Sequence, residues 1–143
     1  MNEVTLCLAR FKDLFNGMSS HNTGELGNVY ADQIMFTDPF TTVHGLPALQ
    51  TYLAGAYGNV IACSFEFEHE VVAGQQASLT WTMHLQHKRI KRGAEIRVDG
   101  ISYLQFDQGR VIRHRDYFDA GQLLYENLPV LGSAVKWLRR HAA

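Results

Sequence analysis

Cysteine, proline and any surplus of one charge are what this chain has least of. Its 143 residues hold two cysteines and three prolines, with 13 Lys and Arg against 14 Asp and Glu. Cys7 and Cys63 lack the spacing of a metal or redox pair, and the first residues do not read as a secretory signal. The expectation is a cytoplasmic, reducing setting with both thiols free and buried as small apolar groups. A formal net charge of −1 gives no global field toward nucleic acid or an anionic membrane. Basic residues gather at residues 88–92 and 136–140, which read as a solvated hairpin tip and a solvated helix face. No apolar run reaches the roughly 20 residues that span a bilayer. Internal repeats, low-complexity segments and linkers are also missing, so one domain over residues 1–143 is expected, with a helical tail from about residue 120.

What the chain does have is a soluble core's composition, 46% hydrophobic and 19% charged. Residues 3–18 place Val4, Leu8, Phe11 and Phe15 at helical spacing, with Leu6 and Leu14 widening the stripe. Residues 23–30 read as a second short helix, and 34–39 as a short extended segment, because Pro39 disfavours helix at Asp38. Gly45 and Pro47 open a third helix over 46–56. The period then changes. Residues 62–73 alternate Phe65, Phe67, His69 and Val71 against Ser64, Glu66, Glu68 and Glu70. Residues 78–88 alternate Leu79, Trp81, Met83 and Leu85 against Thr80, Thr82, His84 and Gln86. Strands over 95–106 and 110–118 follow, joined by a turn at Gln108-Gly109, and short helices over 122–127 and 131–141 flank Pro129. Helices first and a meander of long antiparallel strands second give an α+β class, a curved sheet closed by helices around a conical pocket.

The densest chemistry lies in Arg113-His114-Arg115-Asp116-Tyr117-Phe118-Asp119. On a strand, His114, Asp116 and Phe118 share one face. If that face points inward, a carboxylate sits in an apolar wall, which is costly unless the group is hydrogen-bonded or held neutral.

The run Tyr30-Ala31-Asp32, Phe36-Thr37-Asp38-Pro39 and Gly45, then Asp107-Gln108-Gly109-Arg110-Val111 and Arg115-Asp116-Tyr117-Phe118-Asp119, resembles the nuclear-transport-factor-2-like superfamily. That group includes ketosteroid isomerase, limonene epoxide hydrolase and the SnoaL-like polyketide cyclases. The resemblance covers nearly the whole chain. It implies a cone-shaped barrel with a cystatin-like curved sheet, an apolar pocket and a homodimer. It does not imply one activity, since the fold hosts many.

Carried over residue by residue, Asp38 matches the isomerase's general base. Phe11 and Ser102 match its oxyanion tyrosine and protonated acid. Phe11 has no hydroxyl and Ser102 is the weaker donor, so the resemblance does not imply steroid isomerisation in its familiar form. Asp116 matches the aspartate that activates water in the hydrolase, whose arginine and second aspartate match Thr82 and His84. Its water-positioning tyrosine and asparagine fall on Phe36 and Asp38. Asp116 also matches the acid/base of the cyclases, a pattern that needs fewer partners.

The resulting expectation is a cofactor-independent enzyme acting on an apolar or cyclic small molecule by isomerisation, cyclisation or water addition. Asp116, Asp38 and His84 are its candidate catalytic residues. Phe11, Phe36, Phe40, Tyr57, Ser102, Leu104, His114 and Phe118 are candidate pocket lining. Other readings stay open. Asp38 can cap a turn, and Asp116 can pair with His84 or His114. The domain can bind or assemble without catalysis. If His84 points inward, Trp81 and Met83 lie on the convex face and suit a dimer contact. A metal site from His44, His69 and Asp38 matches no ligand spacing. Leu128, Leu131, Val135 and Leu138 form a tail stripe that either packs on the protein or lies on a membrane surface.

Overall fold

A computed structural model describes residues 2–124 and 131–142, without the side chains of residues 131, 132 and 135. Helix α1 (Glu3–Asn16) starts where the Asn2 side chain accepts the Thr5 N–H, one of the donors that a helix start leaves unpaired. Its buried face is Val4, Cys7, Leu8, Phe11, Leu14 and Phe15. Leu6, expected to widen that stripe, is 45% exposed, because it sits a quarter-turn off the centre line where Cys7 takes the inner place.

The second helix is only a 3-10 turn over Thr23–Asn28. Tyr30 already belongs to a strand, β1 (Tyr30–Thr37), longer than the extended segment expected at 34–39. A tight turn joins it to β2 (Thr42–His44), and α2 (Leu46–Tyr57) follows. Then come β3 (Val60–Ala73), β4 (Gln76–His87), β5 (Ile96–Asp107) and β6 (Arg110–Phe118). Short α3 (Ala120–Leu123) and α4 (Leu131–His141) close the described chain; the end of the helix expected over 122–127 and Pro129 lie outside the described residues.

The α+β class holds. Six strands form one sheet in the order β2-β1-β6-β5-β4-β3. Its pairs are antiparallel except β1 with β6. The sheet is curved and not closed on itself. Helix α1 and the strands share one core, in which Leu79, Leu104, Phe106 and Val111 meet Val4 and Leu8.

A bulge in β3 alters the expected face pattern. Phe67 pairs with Trp81, but the next partners are Glu70 and Leu79, so Glu68 and His69 together oppose Thr80. The extra residue reverses the alternation beyond it. Val71 is therefore 65% exposed rather than inward, His69 is exposed, and Glu70 turns toward α1, where it pairs with Lys12 at 2.7 Å.

Both cysteines are free thiols. Among the described residues no helix is long and apolar enough to cross a membrane.

Candidate functional site

The concave sheet face, α1 and α2 enclose a cavity of about 300 Å³. Its depth is aromatic: Phe11 and Phe15 from α1, Phe36 from β1, and Phe65 and Phe67 from β3. Trp81 and Met83 from β4 and Phe118 from β6 form the sheet wall, and Tyr52, Leu53 and Tyr57 present α2 from the other side. Asp38, Phe40, His87 and Ile90 stand nearer solvent.

Strand β6 aims its polar pair inward. Val111 is fully buried among the core groups, and a bulge between its pairing and that of Gln105 sets His114 and Asp116 on the concave face. The ring of His114 is 1% exposed and is surrounded by Phe36, Phe11, Tyr30 and Phe15 at centroid distances of 4.8, 5.3, 5.8 and 6.2 Å. A polar ring in such a place must be fully hydrogen-bonded. It is: Nδ1 bonds the Tyr30 hydroxyl at 2.7 Å, and Nε2 donates to Asp116 Oδ1 at 2.6 Å. A carboxylate only accepts, so Nε2 carries a hydrogen, while the phenol at Nδ1 can serve as donor or acceptor.

Asp116 Oδ1 takes a second bond from the Ser102 hydroxyl, its cross-strand partner, at 2.5 Å. Ser102 in turn accepts the Trp81 indole N–H at 2.9 Å. One chain of bonds thus runs from Tyr30 through His114, Asp116 and Ser102 to Trp81. Asp116 Oδ2 has no protein partner among the described residues, and its side chain, 19% exposed, lies in the cavity wall. Trp81 reaches Ser102 by lying over Gly100, the residue opposite it on β5. A Cβ at Gly100 would come within 2.4 Å of the indole ring, so only glycine leaves room there.

Asp38 is differently placed. Its Oδ1 accepts the backbone N–H groups of Phe40 and Thr41, and its Oδ2 accepts the Tyr52 hydroxyl. It therefore caps the β1–β2 turn, and it also faces the cavity. Burial, then the bond to Asp38, holds the Tyr52 phenol well above its ordinary pKa. Burial likewise raises Tyr30 and Tyr57, and it pushes the cavity-lining Cys63 thiol up to about 11.

Of the residues expected from the sequence, Asp38, Asp116, Ser102 and His114 come together here with Phe11, Phe36, Phe40, Tyr57 and Phe118. Two do not. Leu104 is opposite His114 on β5 but fully buried in the core below the cavity, where α1 closes the narrow end. His84 lies on the outer sheet face, its Nε2 2.8 Å from Glu66 and its Nδ1 3.9 Å from Glu95. The reason is alternation: Trp81, Met83 and Leu85 claim the inner face of β4, which pushes Thr82 and His84 outward. Trp81 and Met83 therefore line the cavity and do not lie on a convex dimer face. Thr82 is also outward, bonded to Glu68 and Asp99.

The sequence reading missed Tyr30, Tyr52 and Trp81 as site residues. The apolar alternation of β4 carried the signal for Trp81. Nothing local marks the two tyrosines, whose partners lie 84 and 14 residues away. Among the described residues no three of His, Cys, Asp and Glu gather as metal ligands. In the tail, Leu138 is exposed, Leu128 lies outside the described residues, and the side chains of Leu131 and Val135 are not described.

A family model for the SnoaL-like domain matches residues 11–114. This chain belongs to the SnoaL-like domain family. Solved structures carry the same fold. A nuclear-transport-factor-2-like protein of unknown function from Burkholderia pseudomallei superposes with a TM-score of 0.76 at 13% identity, over 87% of this chain and 96% of that one. A candidate SnoaL-like polyketide cyclase from Shewanella putrefaciens gives 0.72 at 19%, over 86% and 94%. An epoxide hydrolase of the limonene epoxide hydrolase type from Mycobacterium tuberculosis gives 0.70 at 17%, over 94% and 96%. At these identities the likeness shows the fold alone. No curated protein matches this chain. In this SnoaL-like domain the matched span begins at Phe11, the deep aromatic of α1, and ends at His114, the ring that holds Asp116.

Proposed function

We propose that this SnoaL-like protein is a small-molecule enzyme that moves a proton through Asp116 in an aromatic cavity. One observation carries the reading: two donors, Ser102 and His114, share one oxygen of a carboxylate whose other oxygen, at the cavity wall, has no partner among the described residues. Such a carboxylate is oriented by the protein and keeps one oxygen for a substrate C–H or a water. Positioned general acid/base groups contribute about 10² to 10⁴ in rate. His114 is a positioning residue here, because both ring nitrogens are engaged and it reaches the cavity through Asp116. Asp38, with three donors already on its carboxylate, shapes the rim and orients the ligand. Neither the aromatic depth nor the missing hydroxyl at Phe11 supports strong stabilisation of an oxyanion. Proton transfer from a carbon acid or activation of water, as in isomerisation, cyclisation or hydration, fits the group better than chemistry that builds up a full oxyanion.

The test uses 5-nitrobenzisoxazole, a bicyclic carbon acid that opens when a base takes its ring C–H proton. The C–H electron pair forms the nitrile as the N–O bond breaks, and the coloured nitrophenolate is read directly. The expected result is accelerated opening by the wild-type protein and loss of that acceleration, by about 10² or more, in Asp116→Asn. Asparagine keeps an acceptor for Ser102 and His114, so the variant folds, which near-ultraviolet circular dichroism checks. Equal rates for the two proteins would remove Asp116 from this role.

A second reading, ligand binding without catalysis, is favoured by the full capping of Asp38. It predicts binding of apolar probes with no Asp116-dependent turnover.

A further inference from the structure

The charge inside the cavity is one-sided. Among the described residues that line it, Asp38 and Asp116 are acidic, and no Lys or Arg is present. The cations nearest in sequence to Asp116 point away: Arg113 and Arg115 alternate to the opposite face of β6, and Arg115 lies 4.8 Å over the ring of exposed Tyr117. The other titratable lining groups do not compensate. His114 is spent on Asp116 through Nε2 and on the Tyr30 hydroxyl through Nδ1, and Nδ1 of His87 accepts the Arg89 N–H. Tyr52, Tyr57 and Cys63 have their pKa values raised by burial and stay protonated at neutral pH.

Two carboxylates thus stand in an apolar, low-dielectric cone, and among the described residues Asp38 has backbone N–H groups and the Tyr52 hydroxyl as partners, and Asp116 has the Ser102 hydroxyl and the His114 ring. Hydrogen bonds spread such charge but do not cancel it. The rings around them have faces that attract cations: Phe40 and Phe118 pack at 5.7 Å, Phe118 and Trp81 at 6.4 Å, and Phe36 and Tyr52 at 5.8 Å. A cation over an aromatic face is held by the ring quadrupole, more strongly when desolvated.

We propose that the ligand of this cavity is a small organic cation, an ammonium-bearing molecule with an apolar or cyclic body, and that anionic molecules are excluded. The inference rests on the reading of this cavity as the ligand site and names the substrate class for it. The volume, about 300 Å³, is at the small end for ligand sites and suits one ring with a short substituent. The ammonium group sits in the joint field of Asp38 and Asp116 with its alkyl groups on the aromatic faces. A repelled carboxylate or phosphate would meet no Lys or Arg among the described lining residues.

The experiment compares three probes of matched shape by calorimetry and ligand-observed NMR: benzyltrimethylammonium, neopentylbenzene and 3-phenylpropionate. The expected order is cation, neutral, anion, with the cation about tenfold tighter than its uncharged shape match. Asp116→Asn should shrink the cation-to-neutral ratio while keeping affinity for neopentylbenzene. Equal binding of cation and neutral probe, tighter binding of the anion, or no binding of any probe overturns the proposal. Turnover of 5-nitrobenzisoxazole separates the two claims, since that substrate is uncharged. Asp116-dependent turnover without cation preference leaves proton transfer standing and removes only the charge class. Cation preference without such turnover leaves the charge class standing and removes the catalytic role.

Discussion

Tyr30, His114, Asp116, Ser102 and Trp81 form a hydrogen-bonded chain in which each member satisfies the next, so single deletions should cost more than a typical surface bond. Tyr30→Phe removes one oxygen at constant shape and leaves the buried Nδ1 of His114 without its partner. An orphaned buried polar group costs about 1–3 kcal/mol, and urea unfolding should show a loss of that size with the cavity aromatics intact. Gly100→Ala acts from the other end. The new methyl meets the Trp81 ring, and overpacking of this kind costs about 1–3 kcal/mol. It should also lift the indole off Ser102, which tryptophan fluorescence will register as a shifted emission maximum. An unchanged spectrum and unchanged stability would mean the ring has another place to go.

Two elements decide where the charges sit. The β1–β2 turn is held by Asp38, whose Oδ1 caps two backbone donors. Asp38→Ala frees them and releases Tyr52, so stability should fall by about 1–2 kcal/mol, the cost of losing an N-cap-like side chain. Amide exchange at Phe40 and Thr41 should quicken while exchange along β5 stays slow. Asp38→Asn, which keeps an oxygen for the turn, should exchange more slowly than the alanine variant. In β3 the bulge does comparable work: the two residues opposite Thr80 reverse the alternation, so that Glu70 meets Lys12 and Val71 meets water. Period-2 counting from Phe65 placed His69 and Val71 inward, because a bulge leaves no mark in hydrophobic alternation when polar residues occupy it. On β4 the same counting was sufficient. Leu79, Trp81, Met83 and Leu85 outweigh His84 for the inner face, so His84, a candidate catalytic residue from the resemblance, faces outward to Glu66.

At the scale of the molecule, burial keeps five acidic groups among the described residues protonated: Cys7, Tyr30, Tyr52, Tyr57 and Cys63 all have raised pKa values in the fold. A raised pKa means the folded state holds its proton after the unfolded chain has lost it. The stabilisation is therefore complete below the ordinary thiol value of 9.0 and declines as pH rises beyond it, through the Cys63 value of about 11. The urea midpoint at pH 10.5 should lie below that at pH 7.5, and Cys63→Ala should narrow the gap. A midpoint that holds or rises between those pH values would contradict the buried, neutral state of these groups.

Composition and period by themselves determined the α+β class, the helical stripe of α1, the long strands and the common strand face of His114, Asp116 and Phe118. These are local properties, set by which side chains must leave water and by the two-residue repeat of an extended backbone. Only the tertiary structure decided that Leu104 fills the core while Ser102, two residues earlier on the same face, reaches the site. Both point inward, and the difference is how far along the cone α1 closes it. Tertiary structure also decided which histidine serves Asp116 and that Tyr30 completes its bonds. Tyr30 and Ser102 come from strands adjacent to β6 in the sheet but 84 and 14 residues from their partners in the chain, and hydrogen-bond partners at that distance have no signature in sequence.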